Sequence, residues 1–257
     1  MKKTLIALAV AASAAVSGSA MAWTANGTGG SVALGGTLTP VTKATPWEVK
    51  TGDAVTGLDA QIQKGQKEAS IAVNRAIPVL GIRTIESTAF QGQPGISPQI
   101  NYGDAVNVDA FENGRAPVTL EVKDDTNAKI GTLTTSLGAS ALVSYVTSSY
   151  NGYNHEYAES AGQAFFGGLP KNKANTPEEN IAGNVFPDIG SHFTYQNASY
   201  SEVGLASSFS DTGATFSAYY GSGIESGKII KITLDQAASG DAPIQWKASL
   251  PVTVSYQ

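Results

Sequence analysis

The chain has 257 residues, a formal net charge of −5, only two histidines and no cysteine. An acidic chain without a basic run is a poor partner for nucleic acid or an anionic membrane surface. Without cysteine, thiol catalysis, thiolate metal sites and disulfide staples are excluded, so stability has to come from a sizeable core.

Residues 1–22 read as a secretory signal peptide. Lys2 and Lys3 form the basic start, "LIALAVAASAAV" is too short an apolar run to span a bilayer, and Ala20-Met21-Ala22 is a small-x-small cleavage pattern. Cleavage there leaves 235 of the 257 residues and moves the formal charge from −5 to −7 with the loss of both lysines. Abundant Gly, Thr, Ser and Val in an exported chain then suggest a β protein.

The stretch "GGSVALGGTLTP" (29–40) reads as a short strand with Val32, Leu34 and Leu38 on one face and Gly35–Gly36 between them. "TPWEVKTGDAVTG" places Trp47 and Val49 on one face of a second strand. "EASIAVNRAIPVLGIRT" (68–84) is a strand pair or one bent strand, interrupted at Pro78, and "ISPQINYG" offers another short strand. The clearest hairpin lies in 116–146: Val118, Leu120 and Val122 alternate, "DDTNAK" turns, and Ile130, Leu133 and Leu137 return.

Residues 146–193 break this pattern. "EYAESAGQAFFGGL" has near-helical spacing at Tyr157, Ala161, Ala164, Phe165 and Leu169, stopped by Gly167–Gly168. "NTPEENIAGNVF" predicts a second helix, with Thr176 as N-cap, Pro177 at N1 and Glu179 closing a capping box. Strands resume in "HFTYQNASYSEVGLASSF", "TFSAYYGSG" and "KIIKITLDQA", and the chain closes on Leu250, Val252, Val254 and Tyr256, which share one face. The pattern predicts a β-sandwich with a small helical insertion.

Chemistry is sparse. His155 and His192 have no metal-ligand spacing, no G-x-S-x-G occurs, and "GSGIESGKI" (221–229) reads as a turn between strands rather than a phosphate loop. Asp124–Asp125 sits in the hairpin turn and Glu178–Glu179 in a helix first turn, where carboxylates have structural reasons to be. The insertion gathers Tyr150, Tyr153, Asn154, His155 and Tyr157. Aromatic faces cover the apolar side of a sugar ring and amides pair with its hydroxyls, so these residues either bind a glycan or pack the inserted helices.

Both ends of the mature chain are alternating apolar strands. They either pair within the molecule, or the N-terminal one fills an open groove in another copy. Burial of Val32, Leu34 and Leu38 at about 1.5–3 kcal/mol each amounts to roughly 5–9 kcal/mol.

The opening "W-x(n)-NG-x(n)-GSV", then "AIPVLGIRT", "GISPQI", "AFFGGL", "GIESGKIIKITLDQA" and the end "QWKASLPVTVSYQ" occur in an order that resembles the FaeG-type family. These are major fimbrial subunits and adhesins of enterotoxigenic enteric bacteria, assembled by the chaperone–usher pathway. The likeness covers nearly the whole mature chain and is weakest in 145–200.

It implies an all-β, incomplete immunoglobulin-like β-sandwich (41–257), completed by donor-strand complementation from an N-terminal extension (23–40). By position, Val32, Leu34 and Leu38 become donor side chains and Gly36 a point of close approach. Leu250, Val252, Val254 and Tyr256 become the groove-edge strand that a periplasmic chaperone holds first. The implied partners are neighbouring fimbrial subunits, chaperone, outer-membrane usher and a host-cell carbohydrate bound by 146–193, on a fimbrium outside the cell. Neither cofactor nor catalysis is expected. The alternatives are a minor subunit without receptor binding, a secreted carbohydrate-active enzyme and an outer-membrane barrel, the last disfavoured by strands shorter than about 9–11 residues.

Overall fold

A computed structural model describes residues 25, 34–38, 44–201 and 207–257. The chain divides between Lys43 and Ala44, and every strand and helix among the described residues falls in the unit from Ala44 to Gln257. The expected signal peptide and Val32 lie outside the described residues.

The fold is nearly all β. Its spine is an 18-residue strand, reached after six others: β1 (Trp47–Thr51), β2 (Glu68–Ala72), β3 (Ile77–Thr84), β4 (Phe90–Gln91), β5 (Pro98–Asn101) and β6 (Arg115–Lys123) precede β7 (Lys129–Val146). β8 (Asn151–His155), α1 (Ile181–Val185), which is the single α-helix among the described residues, β9 (Ser199–Tyr200), β10 (Thr215–Ile224), β11 (Ile229–Leu234) and β12 (Thr253–Tyr256) follow. A ten-stranded sheet runs in the order β1-β3-β10-β7-β11-β2, with β4, β6, β8 and β9 attached at its sides.

The first half of β7 pairs with β6 and β11, and the second half, from Gly138, pairs with β10 and β8. One strand thereby serves two parts of the molecule. β5 and β12 form a separate two-stranded sheet, with Val254 opposite Ile100. This small sheet packs on the large one: Ile100 and Val254 join Leu80, Leu137 and Tyr220 in the main core.

The β6–β7 hairpin forms where the alternation predicts it. The Asp124 carboxylate organises its turn by accepting from the backbone N–H groups of Thr126 and Ala128, both at 2.9 Å. "IESGK" likewise forms the turn between β10 and β11.

Other expectations are corrected. Residues 68–84 yield two strands that do not pair with each other: β2 joins β11, while β3 lies between β1 and β10. No helix forms over 156–169. Gly162, Phe165 and Gly167 have φ of 90°, 60° and 82°, which breaks any right-handed helix. Tertiary bonding accounts for it, since Phe165 N–H donates to the Pro98 carbonyl and Phe166 accepts from Ile100 N–H, both at 2.8 Å.

The second helix starts later than the capping box predicts. Asn180, not Thr176, is its N-cap, accepting from Gly183 N–H at 2.9 Å. In 192–209 only Ser199–Tyr200 is strand among the described residues.

α1 lies on a part of the sheet paved with glycine. A Cβ on Gly221 would stand 2.8 Å from the Cβ of Ala182, and one on Gly223 would stand 2.5 Å from Val185 Cγ1. Ile181, Ala182, Val185, Phe186 and Ile189 thereby pack on Leu142 and Tyr219 as a second core, on the face of β7 and β10 opposite the main one. The insertion is fastened by charge as well. Arg115 grips Glu225 with two bonds of 2.8 and 2.9 Å and also meets Glu179 at 2.6 Å.

Candidate functional site

Two surfaces stand out, and the first is an apolar groove. Its floor comes from β2, β7, β10 and β11: Ile71, Leu133, Ile224, Ile230, Ile232 and Leu234 form a cluster separate from the main core. The cavity above them measures about 1320 Å³, larger than the 300–1,000 Å³ or so of a small-molecule pocket.

Its two lips are segments that belong to no named strand. One is 52–64, carrying Val55, Leu58 and Ile62; the other is 241–252, carrying Ile244, Trp246 and Leu250. Over the second lip, Trp246, Ala248, Leu250, Val252 and Val254 are each half-buried, while each residue between them is exposed. That is the period-two pattern of a strand.

Yet among the described residues the backbone from 241 to 252 is bonded only at Lys247, to Lys123 at 2.9 Å in both directions. The segment has the side-chain order of a strand without the ladder. Pro251 contributes, because it has no N–H to give.

The residues expected at this edge are placed accordingly. Leu250, Val252 and Val254 are half-buried against the main core, and Tyr256 is exposed with a hydrogen bond to Thr45. Of the expected donor residues, Leu34, Gly36 and Leu38 are described; they lie in no strand, and Leu34 and Leu38 are 93% and 96% exposed.

The second surface is aromatic. β8 projects Tyr153 and His155 from alternate positions, and Tyr153 stands in parallel register with Tyr200 of β9. Tyr195 meets Tyr153 edge-on at 4.7 Å, Tyr200 packs on Tyr153 at 5.4 Å, and Phe193 joins Tyr195 to Tyr219. Tyr195 and Tyr200 are exposed.

Tyr150 belongs to another group, packed at a 40° tilt on Tyr145 at 5.5 Å with its hydroxyl on Ser201. Asn154 is buried and donates to the His155 carbonyl, so its amide points inward. Tyr157 is half-buried. Tyr195, Tyr200 and Phe193 were not among the sequence candidates. Their signal, the aromatic spacing in "HFTYQNASY", reads equally well as a strand.

His155 and Glu156, at the end of β8, each carry a buried polar atom. Burial pushes the His155 imidazole down from its ordinary pKa, opposed in part by Glu178, and its buried Nδ1 has no partner among the described residues. Burial pushes the Glu156 carboxyl well above its ordinary value; Asn154 and the Ser207 backbone bond to it, but Oε2 has no partner among the described residues.

Residues 1–257 match the family described as "Fimbrial, major and minor subunit". The chain is 30% identical over 287 aligned residues to K88 fimbrial protein AD of Escherichia coli, covering both chains in full. It is 30% identical over 284 residues to the F41 fimbrial protein of the same species, again in full. Similarity extends to the K88 minor fimbrial subunit FaeI of E. coli, at 26% over 222 residues, covering 82% of this chain and 83% of the relative.

Proposed function

The chain belongs to the family of fimbrial major and minor subunits of the K88 type, and on that premise we propose that it polymerises by accepting a neighbour's N-terminal strand into the apolar groove. The observation that carries this reading is the half-buried, period-two run from Trp246 to Val254, a strand with a groove beside it and no ladder partner over most of its length. An extended donor would supply that ladder and cover the floor.

Residues 29–40 have the matching chemistry. They alternate apolar and small residues, carry no charge, and expose Leu34 and Leu38 in the free chain. Twelve residues at about 3.3 Å each span roughly 40 Å, comparable with the lip from 241 to 252. A glycine at position 36 would let the donor backbone approach the groove closely in the assembled fibre. Head-to-tail repetition of the contact gives an open filament outside the cell.

Before assembly, the same open edge would be held by a periplasmic chaperone and the subunit passed to an outer-membrane usher. The subunit is then structural rather than enzymatic. Co-expression of a chain lacking residues 23–40 with its chaperone tests the donor role. A soluble chaperone-bound subunit that never extends a fibre is expected, and normal fibres from the deletion would refute it.

The aromatic face supports an adhesive role as well. Exposed Tyr195 and Tyr200 flanking Tyr153 form a platform suited to the apolar side of a sugar, and repetition along a fibre multiplies weak binding. A glycan array probed with the Tyr153→Ala, Tyr200→Ala double variant tests it; unchanged binding would move the site elsewhere.

A further inference from the structure

We propose that Lys64 and Asp241 form a clasp across the mouth of the groove, which has to open before a donor strand can seat. The inference rests on the groove being the acceptor of a neighbour's strand. At one end the two lips are tied by backbone bonds: Gly65 N–H donates to Ala238 at 2.7 Å, and Ala238 N–H donates to Gln66 at 2.9 Å. Immediately beyond this tie, the Lys64 ammonium pairs with the Asp241 carboxylate. Both residues line the groove, and 177 positions separate them in sequence.

Among the described residues no other hydrogen bond or ion pair joins 53–63 to 242–252. The pair therefore marks the point where the lips diverge. An arriving donor must part the lips from this point, and residues 29–40 contain no charge that could replace either partner. The clasp opens into water and is not exchanged for a donor contact.

Both side chains are largely exposed, so the pair holds weakly and salt screens it. Its loss should speed donor uptake about two- to five-fold, the equivalent of an exposed ion pair, rather than by orders of magnitude.

The test uses the mature chain and a labelled synthetic peptide of residues 29–40, with uptake followed by anisotropy at low and high salt. Lys64→Gln and Asp241→Asn should each take up the peptide two- to five-fold faster at low salt, with the difference vanishing at high salt. The charge exchange Lys64→Asp, Asp241→Lys should return the rate to that of the parent. Equal rates in parent and single variants, or a charge exchange that stays fast, would overturn the clasp and leave the acceptor groove standing. Absence of uptake by every chain, with unchanged thermal melts showing that all are folded, would overturn the groove and the clasp together.

Discussion

Replacing Leu34 and Leu38 together by serine separates a donor strand from an ordinary part of the fold. In the free subunit these side chains are 93% and 96% exposed, so the substitution removes almost no buried apolar area there. The subunit's own stability should change by less than about 0.5 kcal/mol, the usual range for surface substitutions. Seated in a neighbour's groove, each leucine would contribute about 1.5–3 kcal/mol by burial, and the pair about 3–6 kcal/mol. At about 1.4 kcal/mol per factor of ten, the subunit–subunit contact weakens roughly 10²- to 10⁴-fold. Thermal melting of the chaperone-bound subunit and the temperature at which purified fibres dissociate give the two readings. A lowered subunit melt, or fibres that dissociate at the parent's temperature, would refute the reasoning.

Gly36→Val should leave the subunit melt unchanged but block fibre growth, which electron microscopy of secreted fibres would show. Gly223→Ala should destabilise the subunit by about 1–3 kcal/mol, measured by urea unfolding, because its Cβ would meet the Ile77 carbonyl oxygen and stand 2.5 Å from Val185 Cγ1. Glu156 has a folded pKa raised above its ordinary 4.5 by burial. The folded state therefore holds its proton longer, and the group's contribution is complete below about pH 4.5 and is lost as pH rises towards the folded value. Glu156→Gln should flatten that part of the stability–pH curve and raise the melt at neutral pH; an unchanged curve would refute the assignment. Tyr200→Ala should weaken glycan binding about two- to tenfold on an immobilised sugar, the equivalent of one aromatic contact.

Much of the β framework is legible in the residues alone. Period-two alternation in "VTLEV" and "IIKITL" marks β6 and β11, because one face of each has to leave water. The polar turn beginning at Asp124 fixes the hairpin between β6 and β7 locally. The last strand is legible in its side chains but not in its bonding, since alternation tells which face is buried and not which neighbour supplies the ladder.

The insertion was harder to read. Helical spacing in 156–169 lost to bonds with β5, which lies more than fifty residues earlier. The aromatic face combines Tyr153 with Tyr195 and Tyr200, and their meeting depends on a two-residue parallel contact between β8 and β9. Nothing local in either segment encodes that meeting.

Composition and alternation thus determined a cysteine-free, largely β chain with an alternating apolar segment near each end of its expected mature form, since these follow from which side chains avoid water. The tertiary structure alone decided that β7 serves two halves of the sheet and that α1 rests on glycines. It also decided that Trp246 to Val252 stands beside an open groove with almost no ladder of its own. Those features arise from contacts between residues far apart in sequence, which no local pattern records.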